Sequence, residues 1–168
     1  MNKLFFIPIF IFLLACDDGD LQIETLDFDT VDLQMCTTVD IAQSTILFKL
    51  NADEALILNL AANTIKNEAG TIEINVTTSS TTKLIYRLFS ATATKNYFCD
   101  AVPPASPTVL NEIIASKGKV IITTTVGGTV DAPAYEHVIT LDDITFETGD
   151  DQRITDLTIN NFGTVTTN

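Results

Sequence analysis

Alternating apolar and polar positions dominate the chain after its first twenty residues, and this period of two is typical of β-strands. The alternation is clearest in residues 72–76 and 84–89, which a short polar stretch separates, so the two segments predict a hairpin. Residues 45–50 and 55–60 predict another hairpin with a four-residue loop. A helix over residues 53–62 is the alternative there, because glutamate, alanine and leucine are good helix formers.

Between these strands the pattern changes in three places. Residues 21–33 alternate with changes of parity, which predicts a bent strand. The polar residues 63–70 and the segment 96–107, which contains three prolines, predict loops. After the second loop, apolar residues recur at helical spacing, so the sequence predicts a short helix over residues 107–116, capped by the preceding serine and ended by Gly118.

The last third returns to strands, predicted at residues 119–126, 134–147 and 153–162, with Gly127-Gly128 separating the first two. Within the second of these, the apolar face changes parity at Asp142-Asp143, which predicts a β-bulge. The sequence therefore predicts an all-β, mainly antiparallel domain, a single β-sandwich or flattened barrel with one short helix.

A cleaved signal peptide is expected to precede this domain. Residues 4–15 form an apolar run that follows Lys3 and is too short for a membrane-spanning helix, which needs about 20 residues. The expected organisation is a signal peptide at residues 1–15, a lipidated cysteine with an acidic tether at 16–20, and the β domain at 21–168. An ordinary secretory peptide followed by a cysteine is the alternative.

The junction resembles the lipobox of bacterial lipoproteins, with Leu13, Ala15 and Cys16 at the matching positions. This resemblance implies lipidation of Cys16 and attachment to a membrane through acyl chains, of which two or more give stable anchoring. With the acidic segment Asp17-Asp18-Gly19-Asp20 after it, the chain resembles the small lipoproteins of Bacteroidota, flavobacteria in particular. That likeness implies an outer-membrane protein facing the cell exterior, with the periplasmic leaflet as the alternative, and O-glycosylation at Thr30 within Asp29-Thr30-Val31.

Charge and cysteine count narrow the picture further. The formal net charge of −13, or −14 once Lys3 is removed, excludes nucleic-acid binding. Apart from Cys16 the chain has only Cys36 and Cys99, which in an exported protein are expected to form a disulfide; two buried free thiols are the alternative.

Few residues suggest chemistry. One acidic segment offers hard oxygen ligands of the kind calcium prefers, without EF-hand spacing, so a solvated acidic loop is the competing interpretation; its members are Asp142, Asp143, Glu147, Asp150 and Asp151. The single histidine, His137, has no nucleophile motif near it and is interpreted as a half-buried strand residue. A glycosidase carboxylate pair stays open, because 22 acidic residues leave many combinations.

The chain has no tryptophan, so any aromatic platform for a sugar would fall to Tyr86, Tyr97 or Tyr135. No cofactor motif is recognisable. The sequence therefore predicts a lipid-anchored envelope lipoprotein, not an enzyme, whose β domain binds an unidentified protein or glycan partner or has a structural role. The alternative is an accessory glycan- or ligand-binding module of a nutrient-uptake or cell-wall system.

Overall fold

The computed structural model describes residues 26, 28–129, 131–148 and 160–168, together with the backbone of residues 153–155. All strand pairs in these residues are antiparallel, so the all-β prediction with one short helix is confirmed. The elements are β1 Gln34–Met35, β2 Thr45–Asn51, β3 Glu54–Leu60, β4 Gly70–Asn75, β5 Lys83–Phe89, α1 Lys95–Cys99, β6 Val109–Thr129, β7 Ala132–Glu147, β8 Arg153–Thr155 and β9 Asn161–Thr167.

The strands form one sheet that curls into a half-barrel, in the order β1-β2-β3-β5-β6-β7-β8. Strand β6 joins the two halves of this sheet because it is 21 residues long. Its beginning pairs with β5, and from Ala115 onward it pairs with β7. Strand β4 pairs with β6 on the edge opposite β7. Strand β9 pairs with β7 beside β8, which completes the second half.

Side chains from both halves of the sheet meet in one main core. The alternating residues of β2, β3 and β5 supply one side of it and those of β6, β7 and β9 the other. Each of these side chains contributes roughly 1.5–3 kcal/mol when fully buried. The core includes Leu47, Leu56, Leu58, Leu84, Tyr86, Val120, Ile122, Ile139, Leu141, Phe162 and Val165.

The opposite face of the first half carries a second, smaller core. Phe48, Ala55, Ile57 and Phe89 point to this side, where the segment containing α1 covers them. This half of the sheet is therefore buried on both faces, which explains why β2 and β3 read as nearly continuous apolar runs.

The hairpin predicted from residues 45–50 and 55–60 is confirmed, and the helical alternative over residues 53–62 is excluded. Its loop has two residues, Ala52 and Asp53, instead of the four predicted, because the paired strands extend to Asn51 and Glu54. Strands β2 and β3 pair from Thr45 opposite Leu60 to Asn51 opposite Glu54. The hairpin predicted from residues 72–76 and 84–89 is wrong, although both of its strands exist. Strand β4 pairs with β6, whereas β5 pairs with β3 and β6. Alternation shows that a segment is a strand, but it does not select the partner.

The predicted helix over residues 107–116 is wrong, because most of this segment is the beginning of β6. Pairing with β5 supplies the ladder, and Ile113 and Ala115 point inward with the period of a strand. Tertiary pairing has outweighed the helical spacing of the apolar residues. The helix of the described chain is α1, which lies at the start of the segment predicted to be a loop.

The predicted bulge in β7 is confirmed. Lys117 lies opposite Thr145 and Lys119 opposite Asp142, so β7 has an extra residue here, and Asp143 has φ +53°. Gly118 does not end an element; it lies in β6 opposite the bulge. The change of parity therefore indicated the bulge correctly. Gly118 makes room for this bulge and does not mark the end of a helix.

Three predicted boundaries also need correction. Strand β6 continues through Gly127-Gly128 to Thr129, so these glycines do not separate it from β7. The segment predicted at 153–162 is two strands, β8 and β9, and residues 156–159 lie outside the described residues. Of the bent strand predicted at 21–33, residues 21–25 and 27 lie outside the described residues, whereas 28–33 form turns and extended chain that lead into β1.

We expect Gly118→Ala to lower the free energy of unfolding by about 2 to 3 kcal/mol. Gly118 has φ +135°, and an added Cβ would lie 2.5 Å from Ile144 Cδ1 and 2.9 Å from Ile144 Cα. Gly127→Ala is the matched control, because its Cβ would meet nothing closer than 3.8 Å. Urea denaturation of both variants checks this, and equal midpoints would contradict the close fit at the bulge.

Candidate functional site

A disulfide joins the chain just after β1 to the end of α1. Cys36 Sγ and Cys99 Sγ lie 2.05 Å apart, with the two Cα atoms 5.2 Å apart. The bond connects residues 63 positions apart in sequence and holds α1 over the outer face of the first half of the sheet. The pairing expected from the cysteine count is the one that the structure has.

Aromatic contacts also hold α1 against the sheet. The Phe98 ring stacks on Phe48 with centroids 4.4 Å apart, and Tyr97 meets Phe89 edge-on at 4.8 Å. The Arg87 guanidinium lies 5.9 Å from the Phe98 and Phe89 ring centroids and donates hydrogen bonds to the Glu112 carboxylate. Stacking and cation–π contacts of this kind add specificity to the burial of α1.

A groove of about 330 Å³ opens beside the disulfide, within the usual size range of ligand sites. We call it the disulfide groove. Residues 36–38, Asp40, residues 43–46 and Phe98 line it. The Ile46 side chain is 49% exposed here, although the next three residues of β2 are buried.

Five polar side chains of the disulfide groove have no hydrogen-bond partner among the described residues. In the described residues, the side chains of Thr37, Thr38, Gln43, Ser44 and Thr45 make no hydrogen bond within the protein. Some other surface hydroxyls are paired, for example Thr71 with Thr123 at 3.1 Å, Thr77 with Ser80 at 2.9 Å and Thr108 with Ser90 at 3.1 Å, whereas Thr125 on β6 has no partner among the described residues either. The groove therefore presents a set of hydrogen-bonding groups to an external molecule.

A second concavity, the Lys49 groove, lies between the segment before β1 and strand β9. At its base the Lys49 ammonium donates to the carbonyl oxygens of Phe28 and Asn161, both at 2.8 Å. Burial lowers the pKa of Lys49, and the carboxylates of Asp29 and Asp32 offset part of that shift. Because these contacts tie the chain before β1 to β9, we interpret Lys49 as structural.

We expect Lys49→Met to lower the free energy of unfolding by about 2 kcal/mol. Methionine keeps the length of the side chain but leaves the Phe28 and Asn161 carbonyl oxygens without their donor. Lys83→Met is the control, because Lys83 is only half-buried and its ammonium makes no hydrogen bond among the described residues. Urea midpoints compare the two variants, and equal losses would contradict the structural role of Lys49.

His137 is fully buried, so the half-buried position expected for it is wrong. Its Nδ1 and Nε2 lie 2.9 Å from the hydroxyls of Thr124 and Thr167. Because the Thr167 hydroxyl donates to Asn67 Oδ1 at 2.6 Å, it accepts from Nε2, which assigns the neutral tautomer with the proton on Nε2. Both ring nitrogens are occupied, and burial lowers the pKa of His137.

We expect the protein to lose stability as the pH falls below about 6.5, the ordinary pKa of histidine in an unfolded chain. In that range the unfolded state binds a proton that the folded state, with its lowered His137 pKa, does not bind. The loss is therefore at most about 1.4 kcal/mol per pH unit and ends at the folded-state pKa. The slope between pH 7 and 5.5 should decrease in His137→Gln; an unchanged slope would contradict this explanation.

The acidic residues considered as candidate calcium ligands do not come together in the described part of the chain. Asp142 and Asp143 are exposed at the bulge, and Glu147 is exposed at the end of β7. No group of three or more histidine, cysteine or acidic side chains forms a ligand cluster there. Asp150 and Asp151 lie outside the described residues.

Lys119 lies opposite Asp142 at the bulge. Its ammonium contacts Glu73 Oε2 at 2.8 Å, and this hydrogen bond, with smaller contributions from Asp142 and Asp143, raises the pKa of Lys119. Both aspartates are solvated, as the competing interpretation expects, but they lie in strand β7 and not in a loop.

The tyrosines considered as sugar platforms lie elsewhere. Tyr86 is buried and donates to Glu54 Oε1 at 2.5 Å, Tyr97 packs in the second core and Tyr135 is half-buried on β7. The aromatic residue at the disulfide groove is Phe98, which no sequence pattern indicated. The sequence signal for this groove was two pairs of hydroxyl residues, Thr37-Thr38 and Ser44-Thr45, in the segment after Cys36.

The remaining site predictions concern the chain near the amino terminus. Thr30 is exposed at the rim of the Lys49 groove, and Cys16 lies outside the described residues. No helix among the described residues is long and apolar enough to span a membrane. Comparison of the chain with known protein families, curated proteins and solved structures finds no match.

Proposed function

We propose that this protein is a lipid-anchored envelope lipoprotein, attached through Cys16, whose non-catalytic β domain binds a partner in the disulfide groove. The observation that carries the proposal is the set of polar side chains there without hydrogen-bond partners among the described residues. A covalently held rim reduces the ordering cost of binding, which favours a recognition role.

The length of the tether supports a role close to the membrane. Leu26 is buried, and only ten residues after Cys16 lead to and include it. Fully extended, they reach at most about 36 Å. A lipidated Cys16 therefore keeps the domain near the bilayer, and the acidic residues after it support display on the outer face of the outer membrane.

A non-catalytic role is consistent with the titratable groups in the described residues. His137 has both ring nitrogens bonded to buried hydroxyls, and Lys49 is bonded to two main-chain carbonyl oxygens. The disulfide groove has Asp40 as its single charged side chain, and one Asp40 oxygen accepts from the Ala42 amide at 2.9 Å. These groups have structural partners, which favours binding over catalysis.

Photo-crosslinking in intact cells tests the proposal. We expect a photoreactive residue in place of Thr38, in the disulfide groove, to give an adduct of higher mass, whereas the same residue in place of the exposed Thr125 on β6 does not. Equal adduct yields at both positions, or none at either, would contradict binding through the groove.

A further inference from the structure

The lining of the disulfide groove indicates the class of its ligand. We infer that the groove binds a neutral glycan, an inference that rests on the proposed function and names its ligand. Hydroxyl groups donate and accept hydrogen bonds, and a carboxamide offers both roles. The hydroxyls of Thr37, Thr38, Ser44 and Thr45, with the Gln43 amide, therefore match a ligand that itself carries many hydroxyls.

The charge of the groove disfavours charged ligands. No lysine, arginine or histidine lines it, and the chain carries a formal charge of −13, so phosphorylated or uronate-rich ligands are repelled. The single carboxylate, Asp40, already accepts the Ala42 amide through one oxygen, and a single carboxylate is a weak attraction for a cationic ligand. Neutral hydroxyl-bearing ligands remain.

The apolar side of the groove fits the carbon-bound hydrogens of a sugar ring. Phe98 and Ile46 supply it, and Ile46 is 49% exposed. Phe98 is held in place because one face stacks on Phe48 and the adjacent Cys99 is in the disulfide. The ligand therefore meets a fixed ring instead of ordering a mobile one.

An extended peptide fits the same groove less well. Peptides added to a sheet derive affinity from main-chain hydrogen bonds along a free strand edge. Here β1 pairs with β2 at Leu47 and Phe48, so the part of this strand edge that lines the groove is limited to Thr45 and Ile46, which is too short for an added strand. The remaining contacts are mainly side-chain hydroxyls, which match sugar hydroxyls more closely than they match a peptide backbone.

Binding of polysaccharides to the full-length protein in detergent micelles tests the inference. The probes are neutral dextran, laminarin, xylan and galactomannan, with anionic alginate and cationic chitosan for comparison. We expect at least one neutral polysaccharide to bind and alginate and chitosan not to bind. Thr38→Val and Ser44→Ala should each weaken binding about fivefold, the effect of one net hydrogen bond. Thr125→Val, on exposed β6, should leave binding unchanged.

Three results would overturn the inference. The first is the absence of binding to every neutral polysaccharide, and the second is equal binding by wild type and the two groove variants when all unfold at the same temperature. The third is tighter binding of alginate or chitosan than of any neutral probe. If no sugar binds but the photoreactive residue at position 38 captures a protein in cells, the glycan inference fails while the proposed function stands. If neither occurs, both fail.

Discussion

The Cys36→Ser/Cys99→Ser variant is expected to unfold with a free energy about 4 kcal/mol below that of the wild type. The disulfide closes a loop whose ends are 63 residues apart, so its removal restores much conformational freedom to the unfolded chain. It also releases the end of α1 from the chain after β1. The measurement is urea denaturation of the purified full-length proteins under non-reducing conditions.

Reduction of the wild type before denaturation provides the matched control, because it breaks the same bond without changing the side chains. It should shift the urea midpoint in the same direction as the double variant. Thiol titration of the unfolded, unreduced wild type should find no reactive cysteine. Two reactive thiols, or an unchanged midpoint in the variant, would contradict a stabilising Cys36–Cys99 bond.

The Cys16→Ala variant is expected to lose all palmitate labelling and to leave the membrane fraction. Thioether and amide acylation need the cysteine at the cleavage site, and no other group near it replaces that chemistry. Two or more acyl chains hold a protein stably at a membrane. A protein without acyl chains would present only its acidic surface, which anionic lipid headgroups repel.

Metabolic labelling followed by membrane fractionation measures both effects. Cys36→Ser serves as the control, because it also removes a cysteine but leaves Cys16 in place and should retain the label. Label that persists in Cys16→Ala would place the attachment elsewhere and contradict the anchor.

Local patterns predicted the parts of the fold that depend on neighbouring residues. The β2–β3 hairpin followed from alternation around a short turn, and the bulge at Asp143 followed from a change of parity that no regular strand permits. The partner of β4 could not be predicted, because Ile72 and Ile74 present the same apolar face to either candidate strand. The helical spacing at the start of β6 was outweighed by pairing with β5, a contact between segments distant in sequence.

The candidate site was less predictable than the fold for the same reason. The disulfide groove combines the loop after Cys36 with Phe98, which is distant from that loop in sequence. Whether a threonine hydroxyl is paired or free depends on its spatial neighbours, which composition does not reveal. Lys49 likewise appears in the sequence as an ordinary strand lysine, and only the fold places the Phe28 and Asn161 carbonyl oxygens around its ammonium.

Thiol footprinting on intact cells tests most directly the claim of an anchored surface domain with an occupied groove. With Cys16 acylated and Cys36 bonded to Cys99, the mature chain has no free thiol. Ser44→Cys introduces one into the disulfide groove, and Thr125→Cys introduces one on exposed β6 as the control.

A membrane-impermeant maleimide should modify the Thr125→Cys thiol rapidly on intact cells and the Ser44→Cys thiol several times more slowly. On the purified proteins, without a ligand, the two rates should become similar. Equal rates on cells and in solution would contradict an occupied groove. Modification of the Thr125→Cys thiol only after the outer membrane is permeabilised would contradict the surface location.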